Sequence, residues 1–289
     1  MRWEWKDLSL VQDLRVFARR AHLVGDYAQH DHSFVEIALV AGGRVRHRSA
    51  NGEQTLTRGD VLILRPGTWH AYQDGDLDYY DCFIAEELLR RELAWVREDP
   101  VLNHLLWSGP QAAARRGILH LHLDETGTAK CQSHLAALEE LARTPGPSRG
   151  AGLLGHLLLF LSALAEASGG ARAVTRPRPL HPAALQAIAM LEEDPTRDWS
   201  LTELSRRLGF APAHVVRFFK AATGLPPLTY LVRFRLERAA GDLLRSDLPV
   251  AEVGARAGWP DANLFARRFR ARYGMSASEY RRRYRPALA

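Results

Sequence analysis

Residues 201–210 read LTELSRRLGF and residues 250–259 read VAEVGARAGW, one pattern written twice at a spacing of 49. Apolar residues fall at i, i+3 and i+7 in both copies, as Leu201, Leu204 and Leu208 and then as Val250, Val253 and Ala257. That spacing lines up one face of a helix. Gly209 and Gly258 follow where the chain must reverse, and a left-handed backbone costs glycine little. A second helical stretch completes each copy, residues 211–224 (APAHVVRFFKAATG) and 260–274 (PDANLFARRFRARYG), with one extra residue at the second turn moving the spacing to 50. Val215, Phe218 and Phe219, then Leu264, Phe265 and Phe269, give these helices a buried face. Pro212 suits a first helical turn and Asp261 an N-cap. Two helix-turn-helix units are expected.

The opposite face of the second helix carries Ala213, His214, Val216, Arg217 and Lys220 in the first copy, and Ala262, Asn263, Ala266, Arg267 and Arg270 in the second. Small residues let a helix approach a groove closely. Arg donates two hydrogen bonds to guanine, and Asn pairs with the adenine edge. Each such residue alone reads as part of a solvated helix surface, but two such faces in register, in a unit of net positive charge, point to DNA. A long helix between the copies, Leu228 to Leu244, presents apolar residues to both units. Two units on one strut suit successive major grooves, about 34 Å apart.

Charge points the same way. The chain has 289 residues and a net charge of +6; residues 181–289 hold 18 Arg and Lys against 11 Asp and Glu, leaving the rest of the chain at −1. The surplus positive charge sits with the repeat, which implies a polyanion partner.

These residues carry a resemblance. Gly209-Phe210, Phe219-Lys220, Arg235-Leu236, the run from Val253 to Trp259, Asp261 to Phe265, Arg267 to Arg270, Tyr273 to Ser276 and Tyr280-Arg281 are similar to the AraC/XylS family of bacterial regulators over the last ~95 residues. The resemblance implies double-stranded DNA as partner, with base contacts at Ala213, Val216 and Arg217 and at Ala262, Asn263, Ala266 and Arg267. It also implies a homodimer, a small-molecule effector, contact with RNA polymerase and activation. Two departures stand out: Ala211 replaces the usual Ser cap of the first reading helix, and Ser276 or Ala277 replaces a Pro near the end of the second unit.

The first half reads differently. Up to about residue 85 strands dominate, as in Phe34 to Val40, Arg44 to Arg48 and Val61 to Leu64, with Asn51-Gly52 as a hairpin signal. Helical patterns follow in Glu86 to Glu98, Cys131 to Arg143 and Gly152 to Ala167, broken at residues 144–148. Alternation places His30, His32 and Glu36 on one strand face, with His70 joining from a facing strand. This arrangement resembles the two cupin motifs. The implied fold is α+β and multidomain: a cupin β-barrel at about 15–85 with helices at about 86–168, a linker at 169–182, and an all-α domain with two helix-turn-helix units at 183–289.

Three readings of the histidine cluster stay open. His30, His32, Glu36 and His70 suit a divalent metal such as Zn, Ni, Fe or Mn. The same groups suit a metal-free pocket that hydrogen-bonds a small polyol or acid, or they are structural. Trp69, Tyr72 and Arg46 are expected at the pocket mouth. His120 and His122 read as polar positions on an exposed strand face. The rival class, a metal-dependent cupin enzyme fused to DNA-binding helices, finds no cofactor fingerprint and no nucleophile with its base, so no enzyme is expected. Cys82 and Cys131 cannot form a disulfide framework and fit a reducing cytoplasm. The N-terminus has no apolar run of the secretory kind. Leu153 to Ala165 falls short of the ~20 apolar residues of a membrane span and reads as a buried or dimerising helix, so no membrane partner is expected.

Overall fold

A computed structural model of the chain describes residues 2–3, 15–49, 51–111, 117–144, 146, 148–170 and 181–284. The chain divides into two compact units, Met1–Pro179 and Leu180–Ala289. Of the expected linker, residues 171–180 lie outside the described residues.

The first unit is built on one sheet of β1 (Arg2–Trp3), β2 (Val16–His32), β3 (Val35–Ser49), β4 (Gly52–Thr57), β5 (Asp60–Leu64), β6 (His70–Ile84) and β7 (Ile118–His122). The order across it is β1-β2-β6-β3-β5-β7, with β4 pairing β3 beyond β5. All pairings are antiparallel except β1 with β2. The sheet is cupin-like. The Asn51-Gly52 signal is realised as a tight hairpin, with β3 and β4 in register from Arg44↔Thr57 to Ser49↔Gly52. The long strands β2 and β6 pair from Val16↔Ile84 to His30↔His70, which brings the two ends of the histidine pattern together.

Helices cover the sheet: α1 (Glu86–Arg90), α2 (Pro100–Asn103), α3 (Gly109–Gln111), α4 (Glu125–Arg143) and α5 (Arg149–Gly170). The expected helix from Glu86 to Glu98 is instead α1 followed by a 3₁₀ segment, Ala94–Glu98. α4 begins before its apolar pattern because the Asp124 carboxylate accepts the Gly127 N–H at 2.7 Å and so caps it. α5 is long and apolar enough to cross a membrane by length and composition. Its Leu153, Leu157, Phe160, Leu161 and Leu164 are instead in the core with β-sheet residues such as Ile37 and Leu39, and Leu159 is 50% exposed.

The second unit is all helical: α6 (Pro182–Glu193), α7 (Leu201–Leu208), α8 (Pro212–Thr223), α9 (Pro227–Arg245), α10 (Val250–Arg256), α11 (Ala262–Tyr273) and α12 (Ala277–Tyr284). It has two separate cores. The first joins α6, α7 and α8 to Leu231 of α9, around Val215, Phe218 and Phe219. The second joins Leu236, Ala239 and Leu243 of α9 to α10, α11 and α12, around Phe265, Phe269 and Tyr280. α9 runs through both, and its 19 residues span about 28 Å at 1.5 Å each.

Candidate functional site

Each helix-turn-helix unit is held by its sequence as expected. Ser200 caps α7 by accepting the Glu203 N–H at 3.0 Å, and Gly209 ends that helix at φ 74°. Asp261 caps α11 through the N–H groups of Asn263 and Leu264, at 2.8 and 3.1 Å. Ala211 precedes α8 with no side-chain cap bond. With Val215, Phe218 and Phe219 buried, α8 turns Ala213, Arg217 and Lys220 fully outward, while His214 and Val216 are half-buried. With Phe265 and Phe269 buried, α11 exposes Ala262, Asn263, Ala266, Arg267 and Arg270. His214 is drawn into an aromatic group with His181, Phe210 and Phe218. Each copy thus shows a rigid helix face of small residues beside a guanidinium, a shape and charge that complement a DNA groove edge.

The first unit holds a small cavity that opens to the surface. β2 contributes Arg19, Tyr27, His30 and His32 to its wall, β3 contributes Glu36, β6 contributes Tyr72, Tyr79, Asp81 and Phe83, and Phe34 lies between β2 and β3. His32 Nδ1 donates to the Phe34 carbonyl at 2.8 Å. Its Nε2 therefore turns a lone pair, or a second proton, towards Glu36 Oε2 at 2.9 Å. His70 Nε2 stands 3.8 Å from the same oxygen. Ligating atoms of His32, Glu36 and His70 all lie within 4.8 Å of one another, and all three residues are buried. His30 is close by, its ring centroid 4.1 Å from that of His70, but its Nδ1 is turned to the Ala28 carbonyl at 3.0 Å.

Burial alone pushes the Glu36 carboxyl up, but His32, His70 and His30 outweigh it and hold the group well below the usual carboxylate range. Asp81 is pushed the other way, by burial and by the Glu36 charge, with the Arg19 guanidinium opposing the rise. Arg19 reaches Asp81 from the mouth at 3.1 Å. Burial lowers His30 and His70, and brings His47 to about 4. Burial also raises Tyr72, which keeps its hydroxyl protonated. The wall therefore offers phenol donors, a guanidinium, carboxyl groups and several aromatic faces. Such groups can hydrogen-bond a small hydroxylated molecule, and His and Glu are residue types that can also ligate a divalent metal.

Four of the six expected pocket residues, His30, His32, Glu36 and Tyr72, line the cavity, and His70 is fully buried behind it. Arg46 is a correction. Alternation along β3 turns it outward, where it pairs with Glu53 and Asp74, and turns His47 inward to stand 5.4 Å from the Tyr72 ring. Trp69 is half-buried and outside the cavity wall. Arg19, Tyr27, Asp81 and His47 were missed. Only Asp81 left a signal, a lone carboxylate in the apolar run Tyr79 to Ile84. His120 and His122 do lie on a strand, β7, but both nitrogens meet Asp60 Oδ1 at 3.0 Å.

The fold and these two sites define the class. The chain's residues 15–143 match the AraC-like ligand-binding domain and residues 204–283 match a helix-turn-helix domain. The chain belongs to the AraC/XylS family of DNA-binding transcription regulators and is not an enzyme. Among individual relatives, the HTH-type transcriptional activator RhaR of Klebsiella pneumoniae is 25% identical over 265 residues, covering 90% of this chain and 89% of that one. The HTH-type transcriptional activator RhaS of Citrobacter koseri is 25% identical over 258 residues, covering 88% and 87%. ToxT from Vibrio cholerae shares the fold at 11% identity, with a TM-score of 0.53 over 92% of this chain and 98% of that one.

Proposed function

We propose that this chain is a one-component transcriptional activator whose cavity takes a small polar effector such as a sugar and whose α8 and α11 read adjacent turns of one operator. The observation that carries this reading is the repeated exposed face, Ala213 and Arg217 on α8 and Ala262, Asn263, Ala266 and Arg267 on α11. Effector binding shifts the balance between states that differ in DNA affinity, by as much as the effector's preference for one of them. RhaR and RhaS, each named an HTH-type transcriptional activator, support the sign and a contact with RNA polymerase. The half-exposed apolar side of α5, with Leu159 outermost, supports a homodimer. A regulator of this kind works where the chromosome is, in the bacterial cytoplasm.

A divalent metal is a second reading of the pocket. His70 Nε2 is buried without a hydrogen-bond partner, 3.8 Å from Glu36 Oε2, and His32 Nε2 meets the same oxygen at 2.9 Å. Zn, Ni, Fe or Mn would sit on these three residues, with His30 adjacent, and would supply a Lewis-acid anchor for effector hydroxyls. The test is thermal unfolding of the full chain against a panel of sugars, polyols and sugar acids, with and without each metal. A ligand at 100 times its Kd stabilises by about 2.7 kcal/mol. The shift is expected for one member of the panel and is expected to vanish in Glu36→Gln. No shift with any member, or an equal shift in the variant, contradicts the assigned pocket. Elemental analysis of the purified chain decides the metal.

A further inference from the structure

The two cores of the DNA-binding unit are joined by α9, with Leu231 in the first and Leu236 in the second. Arg235 occupies the step between them. Its Nε donates to the Pro195 carbonyl, and its Nη2 donates to the Arg197 carbonyl at 2.7 Å. Both carbonyls belong to the loop between α6 and α7, in the first subdomain. On its other side the guanidinium stands 5.5 Å from the ring centroid of Trp259, which is packed in the second core. Gly258 closes the gap. A Cβ there would lie 2.8 Å from Arg235 Nε and 3.0 Å from the Pro195 oxygen, and its φ of 92° disfavours any other residue. One planar cation therefore fills the seam between the two helix-turn-helix units and touches both.

We propose that Arg235 is a positioning residue for DNA reading: it locks the angle and separation of α8 and α11, so that the protein accepts half-sites at one spacing. This rests on the reading that both helices enter DNA. α9 ties the cores along one line, and a second tie across the seam opposes any rocking of one core against the other about that helix. A guanidinium braces the seam because its rigid fork meets two carbonyls at once while its face lies on an indole. A lysine, with a compact ammonium on a flexible stem, does not span all three contacts. Rigidity then appears as avidity: when the second reader is held over its half-site, its effective concentration rises.

The experiment uses the full chain and duplexes selected by the wild-type protein from a randomised DNA library. Affinity is measured at low salt for the selected site, for each half-site alone, and for the site with one base pair added or removed between its halves. Arg235→Lys and Arg235→Ala are expected to keep each half-site affinity within about twofold of wild type. On the intact site they are expected to bind about tenfold more weakly. They should also lose most of the wild type's discrimination against altered spacing. Variants that keep the wild-type affinity and spacing preference overturn the proposal. So do variants that lose half-site binding to the same degree, because the residue then only supports the fold. Wild type binding one half-site as tightly as the pair defeats the two-reader reading itself, and the clamp with it.

Discussion

Asp60→Asn isolates one charge in the sheet that carries the pocket. The Asp60 carboxylate, 8% exposed, accepts the Thr57 N–H at 2.7 Å and faces His120 and His122 at 3.0 Å each, tying β5 to β7. Burial raises its pKa, but the His120, Thr57 and His122 hydrogen bonds outweigh this and bring it from 3.8 to about 2. At about 1.4 kcal/mol for each tenfold change in proton affinity, that drop is worth about 2 to 3 kcal/mol at neutral pH. This is a ceiling, since the two histidine side chains are 38% and 62% exposed and water screens them. The folded pKa is depressed, so the stabilisation is complete well above 3.8 and is lost as pH falls towards 2, with roughly half gone near pH 3. Calorimetry of the full chain is expected to show the first unit of Asp60→Asn melting below wild type at pH 7, by up to about 5–10 °C. The gap should narrow as pH drops from 5 to 3. Equal melting at pH 7, or a gap that does not change with pH, refutes the assignment of this energy to the charge.

Helix caps give a matched pair of tests. Asp261→Ala removes the side chain that caps α11 and is expected to cost about 1 kcal/mol, whereas Ala211→Ser supplies the cap that α8 lacks and is expected to add about 0.5–1 kcal/mol. Urea titration of the second unit reads both, and a Ser variant no more stable than wild type contradicts the reading of Ala211 as an empty cap. Gly43→Ala places a Cβ 1.9 Å from the Asp76 backbone oxygen at φ 76°, next to the β3–β6 register shift. It is expected to cost more than about 3 kcal/mol, read as a lost or strongly lowered melting transition of the first unit.

The DNA-binding unit was legible because its signals are local. Helical periodicity, turn glycines and the Asp261 cap each act within a few residues, and the repeat states them twice. The pocket was partly legible, since the cupin-like spacing names His30, His32, Glu36 and His70, but the single strand face expected for the first three is two strands, β2 ending at His32 and β3 starting at Val35. Most of β2 and of β6 gives no strand pattern, because these sequences are rich in charge: Arg19, Arg20 and His22 on one, Asp76, Asp78 and Asp81 on the other. Those charges suit strands only because the register sets them opposite each other, with Arg19 on Asp81 and His22 near Asp78. Arg46 was misplaced for a related reason. Its neighbour His47 takes the inward position, and only the pairing of β3 with β6 decides which of the two faces the interior. Arg19 and Asp81 form a buried-edge pair whose cost is offset across strands 62 residues apart, and no local pattern announces that.

Whether α8 and α11 read base sequence is decided by the affinities of wild type, Arg217→Ala and Arg267→Ala for a selected operator and for random duplex at the same salt concentration. Each variant is expected to lose about 1–3 kcal/mol, roughly 5- to 150-fold, on the operator, to relax base preference at one position, and to lose far less on random DNA. Equal losses on both DNAs would make the two arginines phosphate contacts only, and no loss on either would remove α8 and α11 from the DNA altogether.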